Sequence, residues 1–220
     1  MRKTIFANEE VYHVFNLGVE RRPIFTAKRE YDRALLALNF YRFRDLPMGL
    51  AEFLRLEQGE RVSFFSQLLQ KGEKQVDVFA SSLMPNHFHL LVKQLTEGGI
   101  TKFVGDFSNS YTRYFNIKHQ RKGHLFQGTF KAVRIESDEQ FIHVWRYIQI
   151  NSVVSLVIKE AELENYPYSS FTEYLSEKTG VCNKKPILDY FSSIKELKNF
   201  VYDQIDYGKK LEAIKHLALE

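Results

Sequence analysis

Two histidines separated by one residue form the part of this sequence best suited to chemistry. His87 and His89 lie in an apolar run that favours β-structure, and Pro85 and Asn86 before them indicate a turn. Side chains alternate between the faces of a strand, so both imidazoles are expected on one face and Phe88 on the other. Neutral imidazole is a common ligand of divalent metals, and a metal would satisfy both rings. The alternative is a pair of ordinary histidines, one solvated and one hydrogen-bonded.

A tyrosine and an asparagine four residues apart form a second candidate pair. Tyr147 and Asn151 follow Ser137, a capping serine with Gln140 three residues later, in a segment with apolar residues at helical spacing. Residues four apart share one face of a helix, so the phenol and the amide are expected side by side. Without further information the simpler interpretation is a packed tyrosine and a helix-end asparagine, because the chain has 12 tyrosines.

The elements that would carry these residues alternate between strands and helices. Strands are predicted over 10–17, over 75–83, along the histidine run and over 129–135. Helices are predicted over 28–41, over 99–116 and from 137 toward 151. The order strand-helix-strand-strand-helix-strand predicts an α+β protein with a ferredoxin-like antiparallel sheet and helices on one face.

Two further segments are expected outside that core. Residues 45–74 include a predicted helix over roughly 50–69 and are interpreted as a helical insertion. Residues 187–218 return to helical spacing and predict a C-terminal helical extension. The predicted boundaries are therefore 1–175 for the core domain and 176–220 for the extension.

The composition excludes several classes of protein. The 220 residues are 44% hydrophobic and 26% charged, which is ordinary for a soluble globular protein. Cys182 is the only cysteine, so an intramolecular disulfide and a cysteine-based zinc site are both excluded. No apolar run reaches transmembrane length. Glu9 and Glu10 follow the first residues closely, so the first residues do not resemble a signal peptide. We expect a cytoplasmic protein that does not bind membranes.

Positive charge is concentrated in one part of the chain. Residues 101–135 contain seven Lys or Arg against a single acid, whereas the net charge of the whole chain is only +4. Interleaved aromatic residues favour a nucleic-acid surface over a merely solvated helix face, which is the alternative. The candidate phosphate contacts are Arg113, Lys118, Arg121, Lys122, Lys131 and Arg134.

Both motifs resemble those of one protein family. The run 84–92, Met-Pro-Asn-His-Phe-His-Leu-Leu-Val, resembles the His-hydrophobe-His motif of the HUH nucleases. The run 146–151, Arg-Tyr-Ile-Gln-Ile-Asn, is similar to a segment of the single-tyrosine transposases of insertion sequences and their REP-associated relatives. The runs 123–131 and 166–170 also resemble family segments, so the likeness covers most of 11–174. Ser152 stands where the family usually has proline, so the helix is expected to run on past Asn151.

The resemblance implies a function and a role for each candidate residue. Tyr147 would be the nucleophile that forms a covalent 5′-phosphotyrosine, and His87, His89 and Asn151 would hold a divalent metal, Mg²⁺ or Mn²⁺. The implied partner is single-stranded or hairpin DNA, and a homodimer remains open. A phenol with a pKa of about 10 must lose its proton to attack, and the sequence offers no assignable general base.

Two other functions remain as alternatives. The same fold would serve a protein that binds hairpin or single-stranded nucleic acid without cutting it, although the joint presence of all four candidate residues argues against that. A replication-initiator nickase shares the chemistry, but the match around Tyr147 is closer to the transposases, and no helicase domain is expected.

Overall fold

Four strands form one antiparallel sheet in the computed structural model, which describes residues 5–177 and 180–210. The strands are β1 (Val11–Leu17), β2 (Val76–Met84), β3 (His87–Gln94) and β4 (Lys131–Arg134). Their order across the sheet is β2-β3-β1-β4, which places β1 and β3 at the centre. This is the ferredoxin-like arrangement that the order of elements predicts. Each predicted strand is confirmed, with ends that differ by one or two residues.

The helices and short helical turns connect and cover the sheet. They are α1 (Lys28–Tyr41), α2 (Leu50–Phe53), α3 (Gln58–Lys71), α4 (Gly99–Lys118), α5 (Asp138–Val154), α6 (Phe171–Tyr174), α7 (Lys185–Leu188) and α8 (Ile194–Tyr202), with 3₁₀ turns at Val19–Arg21 and Glu160–Asn165. The prediction of a single helix over roughly 50–69 is wrong, because this segment forms two separate helices, α2 and α3. The expectation that α5 continues past Asn151 is confirmed. Of the segment 187–218, residues 211–218 lie outside the described part.

Two hydrophobic cores lie on opposite faces of the sheet. On one face α1 and α4 pack against the inward side chains of the strands, among them Val14, Phe88 and Leu90. On the other face α5 and α8 pack against the side of β2 and β3 that carries Ala80 and Leu91. The two crossover helices of the ferredoxin-like core thus share one face, as predicted. Helices α5 and α8 form a second helical layer on the other face.

The two edges of the sheet differ in how they are covered. Backbone bonds join Leu83 N to Tyr168 O at 2.9 Å and Ser170 N to Ser81 O at 2.8 Å, so a later segment lies along β2. Asn183 N also donates to the backbone of β2, at Val78 O, over 2.8 Å. The β4 edge is short and carries Lys and Arg side chains, a pattern that discourages pairing with another strand.

The predicted C-terminal extension packs on the core. Leu197 and Val201 of α8 are fully buried in the second hydrophobic core, against α5. The domain boundary near 175 and the role of 45–74 as an insertion remain predictions. No helix in the described ranges is long and apolar enough to cross a membrane.

Candidate active site

The two histidines of β3 lie on the face of the sheet that α5 covers. Their strand partners on β1 are Leu17 for His87 and Phe15 for His89, and their rings are perpendicular, with centroids 4.9 Å apart. Phe88 between them is buried in the opposite core, so the predicted alternation is confirmed. His89 is 7% exposed, whereas His87 is half-buried. A buried imidazole beside a more open one forms a site that solvent reaches from one side.

The neighbour of His87 determines which ring nitrogen of that histidine carries a proton. His87 Nδ1 lies 2.6 Å from Asn86 Oδ1, and Asn86 Nδ2 in turn donates to Arg21 O over 3.2 Å. The second contact fixes the orientation of the amide, so its oxygen faces the imidazole. An amide oxygen only accepts, so His87 Nδ1 must donate. In the neutral ring the lone pair of His87 is therefore on Nε2, the nitrogen that would bind a metal.

A third histidine, which the sequence analysis did not single out, belongs to the same site. His13 of β1 has its Nε2 2.9 Å from His89 Nδ1, and the two rings stack with centroids 5.1 Å apart. Burial lowers the pKa of His13 to about 4, so the ring is neutral at pH 7. The alternation of Tyr12 and Val14 into the first core indicates that His13 faces the other way. Only the pairing of β1 with β3, which the sequence does not specify, brings it to His89.

Tyr147 is placed against these histidines by α5. Its ring meets His89 edge-on at 5.7 Å between centroids and meets His13 in the same manner at 6.1 Å. The side chain is 38% exposed, although Trp145 and Ile148 in the same turn of α5 are fully buried. The tyrosine and the histidines that the sequence predicts thus come together although they are 58 and 60 positions apart in the sequence.

The N-terminal cap of α5 is built as the sequence predicts, with one difference. Ser137 Oγ accepts a hydrogen bond from Gln140 N at 3.1 Å. The Gln140 side chain returns to Glu136 N at 2.7 Å, one residue before the position that a capping box uses. Both bonds satisfy amides at the helix start and fix where α5 begins.

Asn151 lies one helical turn after Tyr147 and is 3% exposed. Its Oδ1 is buried and has no hydrogen-bond partner among the described residues. A buried amide oxygen without a donor costs free energy, so this orphaned acceptor, one helical turn from Tyr147, is an atom that a cation would satisfy. Among the described residues no three or more His, Cys, Asp or Glu side chains are arranged to hold a metal ion. The donors that would fit a cation are ring nitrogens of His87 and His89 and the amide oxygen of Asn151.

A buried polar network holds α5 on the sheet beside this site. Gln149 Oε1 accepts from Ser169 Oγ at 3.1 Å and from Ser170 Oγ at 3.0 Å. Ser170 Oγ also accepts from Ser81 N of β2 at 3.0 Å. The segment 166–170, noted for its resemblance, thus links the helix of the tyrosine to the edge strand.

The predicted phosphate contacts are spread over several elements. Lys131 is exposed on β4, and its partner Phe15 is also the partner of His89, so Lys131 faces the histidine side of the sheet. Arg134 forms a salt bridge with Glu10 at 2.7 Å. Lys118 binds the buried carboxylate of Glu30 at 2.6 Å.

The other three predicted contacts lie on α4 and the loop after it. Arg113 lines a cleft of about 700 Å³ between α1, α2 and α4, on the outer side of the first core. Arg121 lies over the ring of Phe115 at 5.7 Å, and Lys122 is exposed. Strand register places only Lys131 of the six candidates on the face of the histidines.

Comparisons with known proteins concern the family and the fold of this chain. The family model described as "Transposase IS200 like" matches residues 59–151. A solved REP-associated tyrosine transposase bound to a REP hairpin superimposes with a TM-score of 0.56 at 16% identity, covering 80% of this chain and 86% of that one. A transposase candidate from Deinococcus radiodurans R1 covers 68% of this chain and 96% of its own, with 14% identity and a TM-score of only 0.29. No curated protein matches the sequence.

Proposed function

We propose that this chain, whose residues 59–151 match the model of the IS200-like transposases, is a transposase of that kind and that it cleaves and joins single-stranded DNA through Tyr147. The observation that carries the proposal is the contact of the Tyr147 ring with His89 at 5.7 Å, which joins two motifs far apart in the sequence. A tyrosine held against a histidine pair, with an orphaned amide oxygen one turn away, is suited to phosphodiester chemistry.

The proposed metal site consists of His87, His89 and Asn151. A divalent ion there would polarise a phosphate oxygen and offset its negative charge, which otherwise repels a nucleophile. Two nitrogens and one oxygen suit Mn²⁺, while Mg²⁺ would take most of its remaining ligands from water. Mn²⁺ and Mg²⁺ are therefore both candidates for this site.

The covalent step follows from the exposure of Tyr147. Its oxygen forms a bond to phosphorus, and the bond from phosphorus to the 3′ oxygen breaks. The phenolic proton passes to solvent, which reaches the side chain because it is 38% exposed. The leaving oxygen takes up a proton and becomes a 3′ hydroxyl. When a 3′ hydroxyl attacks the phosphotyrosine, a phosphodiester bond forms and the tyrosine is released. DNA strands are thus joined without a further energy source.

The proposed substrate is single-stranded DNA next to a hairpin. The structural neighbour that shares this fold is bound to a REP hairpin, which supports a hairpin partner. Tyr147 must approach the backbone in line with the scissile bond, and an unpaired strand is easier to place over the exposed part of the sheet than a duplex. A homodimer remains a prediction from the family resemblance.

The decisive experiment is to trap the covalent adduct. Hairpin-tailed single-stranded DNA incubated with the protein and Mn²⁺ should give a denaturant-resistant complex, with a nucleotide on Tyr147 by mass spectrometry. Tyr147→Phe removes only the hydroxyl and should abolish the adduct. Tyr190→Phe changes another tyrosine that is 44% exposed and should leave the adduct intact.

Four results would contradict the proposal in whole or in part. An adduct that persists in Tyr147→Phe, or a nucleotide on another tyrosine, would refute the nucleophile. Undiminished cutting in the presence of a chelator would refute the metal. A protein that binds the hairpin DNA tightly and yields no adduct under any metal would instead be a non-cleaving binder.

A further inference from the structure

His13 and His89 form a direct side-chain contact between the two central strands. The strand partner of His13 is Leu91 and that of His89 is Phe15, so the two histidines are diagonal neighbours on one face. His13 Nε2 nevertheless comes within 2.9 Å of His89 Nδ1, which is a hydrogen-bond distance. A contact of this length between two imidazoles requires one ring to donate and the other to accept.

The direction of that hydrogen bond decides which nitrogen of His89 has a lone pair. If His13 donates, His89 Nδ1 is the acceptor and the proton of a neutral His89 is on Nε2. If His89 donates, its Nε2 has the lone pair and is able to bind a metal. The proposed function therefore requires the second arrangement.

The contact of His87 with Asn86 already shows that arrangement at the neighbouring histidine. There Nδ1 donates to an amide oxygen at 2.6 Å, and the lone pair is on Nε2. Metal-binding histidines generally donate their second ring N–H to a fixed acceptor, which orients the ring and sets the tautomer. Asn86 and His13 contact the same nitrogen, Nδ1, of the two histidines.

We propose that His13 is a positioning residue that accepts a hydrogen bond from His89 Nδ1 and thereby keeps the Nε2 lone pair of His89 directed to the metal. This proposal rests on the proposed function because it assumes that His89 binds a metal. The hydrogen bond itself is a property of the metal-free protein. His13 lies outside the segment 59–151 that the family model matches. The first strand thus contributes to the site through a residue that acts on the metal ligand His89.

A structural role alone would predict a different response to substitution. His13 also packs against Phe15, with ring centroids 5.1 Å apart. If packing were its only role, His13→Phe would preserve the site because it keeps an aromatic ring. If hydrogen bonding is the role, His13→Phe should fail and His13→Gln should succeed, because its amide oxygen is an acceptor.

The test is the tautomer of His89, read from long-range proton–nitrogen NMR correlations of the metal-free protein. The wild-type protein and His13→Gln should have the proton of His89 on Nδ1. His13→Phe should move the proton to Nε2. Phe15→Leu is the matched control: it alters another ring that packs against His89, at 5.7 Å between centroids, and should leave the tautomer unchanged.

Metal affinity gives a second measurement that does not depend on cleavage. Titration calorimetry with Mn²⁺ should show affinity weakened by about 10-fold or more in His13→Phe and by less than about 3-fold in His13→Gln, in the range typical of residues that orient metal ligands. Near-native circular dichroism in both variants would exclude unfolding as the cause.

The outcomes separate this inference from the proposed function. A wild-type His89 with its proton on Nε2, or a His13→Phe variant with an unchanged tautomer, would overturn the role of His13. A His89 protonated on Nδ1 in a protein that binds no Mn²⁺ would support the hydrogen bond and refute the metal site.

Discussion

At the scale of single residues, Asn151 presents a cost that folding alone does not explain. Its amide oxygen is buried without a donor among the described residues, although an apolar side chain of similar size would fill the same space. Unsatisfied buried acceptors are retained in natural proteins mainly where a function needs them. Gln149, two residues earlier, offers a comparison, because its Oε1 accepts from two serines.

Asn151→Leu should therefore stabilise the metal-free protein and remove its response to metal. Removal of an unsatisfied buried acceptor should raise the free energy of unfolding by about 1 kcal/mol. Saturating Mn²⁺ should raise the Tm of the wild-type protein, because a ligand that binds only the folded state stabilises it. The same concentration should leave the Tm of Asn151→Leu unchanged. Thermal unfolding with and without Mn²⁺ measures both effects.

Gln149→Leu is the control for this prediction. It leaves two buried serine hydroxyls without their acceptor, and this loss outweighs the removal of the unpartnered Gln149 Nε2. The free energy of unfolding should fall by about 1 kcal/mol. If Asn151→Leu destabilises the protein as much as Gln149→Leu, the amide of Asn151 has a structural role that the contacts do not reveal. If Mn²⁺ stabilises Asn151→Leu as well as the wild type, Asn151 is not a ligand.

At the scale of elements, α1 is tied to the end of α4 by a buried carboxylate. Glu30 is fully buried and lies 2.6 Å from both Lys118 Nζ and His119 Nε2. Its other oxygen accepts from Thr26 Oγ1 at 2.8 Å. Burial alone would raise the pKa of Glu30, but the hydrogen bonds from Lys118, from the Thr26 backbone and from His119 outweigh it and hold the pKa at about 2.

Glu30→Gln should lower the free energy of unfolding at pH 7 by about 2 kcal/mol, the scale of a hydrogen bond to a charged group. Asp32→Asn is the matched control on the same helix. The salt bridge between Asp32 and Lys28, at 2.7 Å, is exposed to solvent. Loss of this salt bridge should lower the free energy of unfolding by less than about 0.5 kcal/mol. Denaturant unfolding of both variants measures the difference, and equal losses would contradict a special role for Glu30.

The pH dependence of the Glu30 effect follows from the lowered pKa. The unfolded chain binds a proton to this carboxyl near pH 4.3, whereas the folded protein does so only near pH 2. The stabilisation is thus complete above the unfolded pKa and is lost as pH falls toward 2. The gap in stability between the wild type and Glu30→Gln should narrow over that interval. A gap that stays constant from pH 7 to pH 2.5 would show that Glu30 does not act through its charge.

The elements themselves were largely predictable because each depends on local pattern. Alternation placed Phe88 in one core and the histidines on the other face, and the helical spacing after Ser137 placed Tyr147 and Asn151 together. Strand register is not a local property, so the contact between His13 and His89 could not be derived. The break between α2 and α3 was also missed, because apolar residues continue at similar spacing on both sides of it.

At the scale of the whole molecule, the small net charge of +4 makes a general attraction to DNA weak. Binding should instead depend on which cations lie near the histidine face and have no carboxylate partner. Lys131 and Arg134 belong to one strand and were equally good candidates from sequence. Arg134 is held by both oxygens of Glu10, at 2.7 and 3.2 Å, whereas Lys131 forms no salt bridge with a described residue.

Lys131→Gln should therefore weaken binding of single-stranded DNA more than Arg134→Gln. Lys131 and His89 both lie opposite Phe15, on the two strands that flank β1. The usual spacing between strands puts these two residues about 10 Å apart. A DNA strand bound at the histidines therefore passes close to Lys131. Loss of one phosphate contact should reduce the slope of log affinity against log salt by about 0.7. Fluorescence anisotropy at several salt concentrations gives that slope for each variant. Arg134→Gln should change it by less than half as much, because Glu10 already offsets that charge. Equal changes, or a larger change in Arg134→Gln, would place the DNA away from the histidine face.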